Sequence, residues 1–442
     1  MRFIRKVSSK LSYRLRYLRL TSHEQVVIRR MKKYVTILMI LKLKSKNSRP
    51  KDYFKKIDRS IKHLLLLYFR IVLLDPGIDT NLLTPRLDRV IASFSESNCH
   101  AYFRFQREDL YKLFSLLNFP EKVIFDNRSK MAGEEVFLRG LYELVSGISK
   151  HRIAEETFGR DWTQQCRAFS WFIKHIFLTK KHLIIRDLDL PLEQTNLGWW
   201  YRNGFFERSR LAIFSKMRSV SPDLDEDLCG ISHFIDCNCE STSRPGGGPA
   251  EEGTDATRHD DLVQRAFYNG WKSVFGLKTQ TVDNAFGMTV DMYGPVSLRR
   301  NDLALFRDSE INDCFAELQT GNPVQCRIFG DSAYKTPMSH VNTYLSRSDM
   351  PNAAKLYNYA LKSVRISIEW NYGFTSNLFK YFQNVDKLRL LGSNTVTMTY
   401  VVATLFRNFY ICLYGGQTSN YFNINIENPS LFLEKYMTLS DL

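Results

Sequence analysis

The strongest constraint on the fold is the order in which short apolar runs and longer amphipathic ones follow one another between residues 231 and 381. Ile231 to Cys237 is a short, strand-like apolar run. Phe275 to Asn284 alternates, with Lys278 and Gln280 on one face and Leu277 and Thr281 on the other. Phe286 to Gly294 alternates again, turning Met288, Val290 and Met292 to one side. Asn301 is placed to cap a helix whose apolar positions include Ile311, Cys314, Phe315 and Leu318. Gln325 to Gly330 reads as a buried strand, and a long helix runs on through Glu369 to about Tyr381. Leu361, Val364, Ile368 and Tyr372 give that helix its inward stripe.

Three consecutive strands, helix, strand, helix is the order of an RNase H-like domain. The sequence therefore predicts an α/β fold over residues 230–420, a mixed central sheet with flanking helices. Asp236 closes the first strand and Asp331 the fourth. In that sheet the two strands are neighbours, so both carboxylates emerge at one edge. Glu369 follows on the later helix, with Arg365 one turn earlier on the same face. Bare carboxylates brought together repel, and their pKa values rise. Hard divalent cations, Mg²⁺ or Mn²⁺, reverse this, because they prefer oxygen ligands. A pair of such ions activates an attacking oxygen and stabilises a leaving one. Against this stands a plain statistical reading, since a chain with 46 acidic residues offers many accidental triples. The glycines at 246–248 do not make a phosphate cradle, because no Gly-Lys-Ser/Thr follows. They belong to an expected flexible insertion.

Residues 101–185 read as an all-α, helix-turn-helix-like domain preceding the sheet. Phe137, Leu138, Leu141, Leu144 and Val145 mark one helix, ended by Ser146–Gly147. A short helix is expected from His151 to Phe158, and a longer one from Trp162 with Cys166, Phe169, Ile173 and Ile176 inward. Gln164, Arg167 and Lys174 then face outward, as DNA-reading side chains do in a major groove. A plain three-helix bundle with a solvated face fits the same pattern. Residues 186–229 read as a connector, and 421–442 as a C-terminal tail.

Charge is segregated. Residues 1–70 hold 21 lysines and arginines against Glu24, Asp52 and Asp58, while the whole chain is +16. The basic, helical extension of residues 1–100 suits a polyanion such as double-stranded DNA. A solvated or targeting tail is the alternative. Arg29, Arg30, Lys32 and Lys33 read as a nuclear localisation cluster, although the acid-free first 22 residues also fit a transit peptide. The apolar run His63 to Leu74 is short and carries Arg70, so no membrane span is expected. The eight cysteines include no CxxC pair, which argues against a zinc finger.

Gly330-Asp-Ser-Ala-Tyr334 after an apolar strand, followed by Val364-Arg-Ile-Ser-Ile-Glu-Trp-Asn-Tyr-Gly-Phe374 on a helix, resembles the PIF/Harbinger-type DDE transposases. Asn269–Gly270, Gly276, Ser297 to Asp302 and Arg407–Asn408 are also similar, as is Phe137-Leu-Arg-Gly-Leu-Tyr142 in the helical region. The resemblance covers about residues 103–415. It implies that Asp236, Asp331 and Glu369 are catalytic metal ligands. It implies too that Arg365 orients the glutamate or contacts DNA. The first aspartate of that family is commonly followed by Gly, and here by Cys237. Cutting and joining DNA at inverted-repeat ends is implied, with help from a Myb-like DNA-binding partner, and a homo-oligomer is compatible with it. A descendant that binds DNA without cutting it is the alternative.

Overall fold

The computed structural model describes residues 90–147, 157–158, 161–224, 230–245, 264–322, 325–334, 341–343, 350–384, 388–390 and 396–442. Arg29, Arg30, Lys32, Lys33 and most of the short helix expected at 151–158 lie outside the described residues.

Chain order explains the helical half. Helices α1 (Glu96–Phe103) and α2 (Arg107–Leu116) lead into a small hairpin, β1 (Lys122–Ile124) with β2 (Lys130–Ala132). Helix α3 (Gly133–Ser146) buries Phe137, Leu138, Leu141, Leu144 and Val145, and it stops where Gly147 turns left-handed at φ 59°. Asp161 caps α4 (Trp162–Lys180), its side chain accepting from the Thr163 amide. Gly140 lets α3 and α4 touch, because a Cβ there would lie 2.1 Å from the Phe172 ring. Helices α5 (Asn196–Arg202) and α6 (Phe205–Val220) follow.

The sheet strands are β3 (Ile231–Ser241), β4 (Tyr268–Asn269), β5 (Val274–Asn284), β6 (Thr289–Ser297), β7 (Arg327–Phe329) and β8 (Val341–Asn342). Their order is β6-β5-β3-β7-β8, with β4 paired to the start of β5. β3–β5 and β5–β6 run antiparallel, whereas β3–β7 and β7–β8 run parallel. This is the mixed sheet the element order predicted. Between β6 and β7 lie α7 (Asp302–Asp308) and α8 (Ile311–Leu318). The Asn301 cap forms as expected, accepting from the Ala304 amide at 2.7 Å. The single helix expected there is broken at Glu310, which sits at φ 52°. After β8 come α9 (Asn352–Leu378), α10 (Val396–Tyr414), α11 (Gln417–Tyr421) and α12 (Pro429–Thr438). By length and composition α10 could cross a membrane, but most of it is buried in this core.

Three expectations about organisation give way to one shared core, because residues 88–442 make a single compact unit. The helices of residues 101–185 share their interior with the sheet domain: Phe172 of α4 stacks on Phe406 of α10, centroids 5.7 Å apart. Arg186, just past α4, forms a buried ion pair with Asp291 of β6 at 2.7 Å. The stretch read as a connector carries α5 and α6, with Trp199 and Trp200 fully buried. The stretch read as a tail carries α12, whose Phe432, Leu433, Tyr436 and Met437 are buried. Both corrections have one physical reason, that large apolar side chains repeat on one helix face and need a partner surface.

Candidate active site

Successive β3 side chains point to opposite faces of the sheet. His233 packs between Phe206 of α6 and Phe315 of α8, and Phe234 stacks on Phe422 from the other side. His233 is buried, which pushes its imidazole pKa down to about 3. Asp236 follows where β3 begins to open to solvent; its side chain is 20% exposed. The parallel register pairs Phe234 with Phe329. Asp236 and Asp331 each lie two residues past that pair. Asp236, expected to close its strand, sits midway along β3 because pairing with β5 carries the strand on to Ser241, and Asp331 follows the end of β7. Asp331 sits in a tight turn, with its Oδ1 accepting from the Ala333 amide at 2.9 Å and its carbonyl from the Tyr334 amide at 3.2 Å.

Helix α9 crosses this point. Arg365 Nη2 lies 3.9 Å from Asp236 Oδ2, and its Nη1 lies 3.4 Å from Glu369 Oε1. One guanidinium thus bridges two of the three acids. Glu369 is more than half exposed. Burial raises the Asp236 carboxyl to about 6; the Cys237 amide (2.8 Å) and Arg365 oppose the rise, and the charges of Asp331 and Asp302 reinforce it. The three carboxylates were expected to form one cluster. Among the described residues, no group of three or more His, Cys, Asp or Glu side chains is placed to hold a metal ion. Like charges repel, and Arg365 supplies the neutralising charge between Asp236 and Glu369 instead.

Several further residues build this site, and the sequence shows Tyr372 only as part of an inward stripe and motif and Tyr334 only as the end of the Gly-Asp-Ser-Ala-Tyr run. Tyr372 donates from its hydroxyl to the Asp236 carbonyl at 2.9 Å and shares a 2.8 Å hydrogen bond with the Thr281 hydroxyl. It pins α9 across β3 three residues after Glu369. Tyr334 reaches back to the Cys237 thiol at 3.2 Å, fastening the Asp331 turn to the strand of Asp236. Phe306 of α7 packs edge-on against Tyr334. Asp302 opens α7 and pairs with Lys278 of β5 at 2.7 Å. The visible signal is an acid in the first turn of a capped helix and a lysine on an inner strand, each too common to stand out alone. Further along the Asp236 face, Asn238 donates to Glu240 at 2.6 Å and to Tyr400 at 2.7 Å. Burial pushes the Glu240 carboxyl up to about 7.

The expected DNA-reading side chains lie on α4. Arg167 and Lys174, seven residues apart and so on one face, are both exposed, while Gln164 is half-buried. Gln165, next to Gln164, is the fully buried one, donating to Glu143 and accepting from Arg139 at 2.9 Å each.

Residues 255–407 match a family model described as DDE superfamily endonuclease. The matched span contains Asp331, Arg365 and Glu369 and begins after Asp236. The mixed sheet and its flanking helices are consistent with a nuclease domain of that kind. No curated protein and no solved structure matches the chain.

Proposed function

We propose that the protein is a metal-dependent DNA endonuclease of the PIF/Harbinger transposase type, cutting and joining DNA at transposon ends. The observation that carries this reading is the register. Asp236 on β3 and Asp331 in the turn after the parallel β7 each lie two residues past the Phe234–Phe329 pair, and α9 brings Arg365 and Glu369 to Asp236. The match to DDE superfamily endonucleases over residues 255–407 supports it independently.

The donor set suits a hard cation, since Asp236, Asp331 and Glu369 all offer carboxylate oxygens. Bound there, Mg²⁺ or Mn²⁺ would supply an activated attacking oxygen and charge neutralisation at the phosphate. The chain's own contribution is placement. Tyr372 and Tyr334 fix the helix and the turn that carry Glu369 and Asp331, and Arg365 holds Glu369 beside Asp236, where a bound cation would take over its neutralising charge. Arg167 and Lys174 on α4, with Gln164, contact the duplex, and the basic residues Arg29, Arg30, Lys32 and Lys33 serve nuclear entry or phosphate contact. A Myb-like DNA-binding partner and a homo-oligomer belong to this reading.

A second reading is favoured by one observation, that Arg365 already neutralises Asp236 and Glu369. On that reading the protein holds DNA without cutting it. One experiment separates the two. Mg²⁺ or Mn²⁺ at a hundredfold excess over Kd should stabilise the wild type by about 2.7 kcal/mol. It should also support nicking of an inverted-repeat duplex. Asp331→Ala should lose the metal-induced rise in Tm and the nicking while still binding DNA. Metal responses of equal size in the two proteins would refute the nuclease assignment.

A further inference from the structure

The hairpin joining β4 to β5 places the most exposed aromatic side chain of the described residues at its tip. Trp271 is 95% exposed, and Tyr268 beside it is 40% exposed. The tip is braced. The Asn269 side chain accepts from the Lys272 amide at 3.0 Å and donates to the Leu298 carbonyl at 3.0 Å, and Tyr268 packs on Phe275 across the ladder. Ser273 completes the turn at φ 54°. An indole held out on a fixed turn leaves a large apolar face in water, which a fold does not need for its own stability.

The surroundings are cationic. Arg265, Lys272, Arg299 and Arg300 are all exposed around the turn. Arg299 Nη1 donates to the Arg265 carbonyl at 3.1 Å, which ties the loop after β6 to the base of the hairpin. Of these four, only Arg300 is ion-paired among the described residues, to Asp308. Between residues 264 and 300 the acids are Asp283 and Asp291, both buried. The patch therefore presents an aromatic face and positive charge with no exposed carboxylate of its own stretch. Lysine is depleted at protein interfaces, although Trp, Tyr and Arg are enriched there. An aromatic platform among phosphate-binding cations is instead the arrangement that takes single-stranded nucleic acid.

Position ties the patch to the carboxylates. β5 runs from the hairpin past Gly276, opposite Ser241, to Thr281, opposite Asp236. At about 3.3 Å per residue the turn lies roughly 25 Å from Asp236 along the sheet. That is about seven nucleotides of one strand.

We propose that this hairpin is a second DNA site, in which Trp271 stacks on an unpaired base while Lys272, Arg265 and Arg299 hold the flanking phosphates. The proposal rests on the nuclease reading for its substrate and adds that the DNA beside the cut is unstacked. Taking a base out of a duplex costs energy, least where the base is already unpaired. The site consequently discriminates unpaired from paired DNA.

The test uses the full chain in EDTA, so that binding is read without cleavage, with a 20-nucleotide single strand and the same sequence as a duplex. Trp271→Ala should weaken single-strand binding roughly 5- to 100-fold. Duplex binding should change less than about twofold, and Trp271→Phe should retain most of the single-strand affinity. The Lys272→Ala and Arg265→Ala pair should flatten the salt dependence on the single strand by roughly 0.7 for each phosphate no longer neutralised. Unchanged melting of each variant shows that the fold is intact. A Trp271→Ala protein that binds the single strand as tightly as the wild type overturns the proposal. So does an equal loss on both probes, or intact DNA binding with altered sedimentation, which would make the hairpin an interface between copies. Metal-dependent nicking is read separately, so the nuclease reading can fail while this one stands, and the reverse.

Discussion

Helix α9 is attached to the sheet by two arginine–aspartate arrangements that differ in burial. At one end of the interface Arg407 and Asp283 are both fully buried and surrounded by partners. Asp283 accepts from Thr289 at 2.6 Å and from Asn371 at 3.0 Å. Arg407 donates to the Asn371 carbonyl and the Thr375 hydroxyl, each at 3.2 Å. Thr418 donates to the Asn371 side-chain oxygen at 2.8 Å. Two turns toward the helix start, Arg365 meets Asp236 at 3.9 Å and Glu369 at 3.4 Å, with a third of its side chain in water. The first arrangement is a knot of hydrogen bonds in a low-dielectric interior, where every member is needed. The second is loose, wet and exchangeable. The helix is therefore fixed by its buried half, and its open half is left available to trade partners.

The largest expected effect would break the buried knot. Arg407→Met leaves Asp283 without its cation and should cost about 3–5 kcal/mol in urea unfolding. A loss under about 1 kcal/mol would remove the distinction between the two ends. The next effect isolates burial from ion pairing, using His233 on the buried half of β3, which has no ion pair among the described residues. Its folded pKa, about 3, is below the ordinary 6.5, so the unfolded chain binds the proton more readily. Stability from this group is complete above pH 6.5 and is lost as pH falls, by about 1.5 kcal/mol between pH 6.5 and 5. Glu240 and Asp236, both raised by burial, act with the opposite sign, so the measurement is wild type minus His233→Gln over that interval. Parallel pH curves for the two proteins would count against the buried-imidazole account. The smallest effect belongs to the open end. Arg365→Ala should change unfolding stability by less than about 1 kcal/mol, as exposed pairs do. A loss as large as that of Arg407→Met would show that the open end is as structural as the buried one.

The sheet is legible in the sequence because its information is local. Alternation marks β5 and β6, and apolar runs mark β3 and β7, with only the ends displaced. β3, for example, continues past Cys237 to Ser241 because β5 pairs with it throughout. Asp331 is legible as the acid just past a strand for the same reason, whereas Asp236, read as a strand end, lies midway along β3. The two helices α5 and α6 are hidden by composition, since Glu207, Arg208, Arg210, Lys216 and Arg218 make the stretch look solvated while Ile213, Phe214 and Met217 are buried between them. Helix α12 carries its own signals, an Asn428 cap and Pro429 at its first turn, but it lies beyond the last recognisable motif and so resembles a tail. The bridging role of Arg365 depends on where α9 crosses β3, through Tyr372, and no spacing along one chain encodes a crossing angle.

The stacking of Phe172 on Phe406 makes the outer face of α4 and the carboxylate end of β3 parts of one solid. Interiors packed at crystal-like density transmit displacement and do not absorb it. On the proposed reading, a duplex held by Arg167 and Lys174 would be presented to Asp236 at a set span, as a workpiece is by the fixed jaw of a calliper. Any choice among lengths must come from the workpiece bending, because the tool itself has no joint between its grip and its edge.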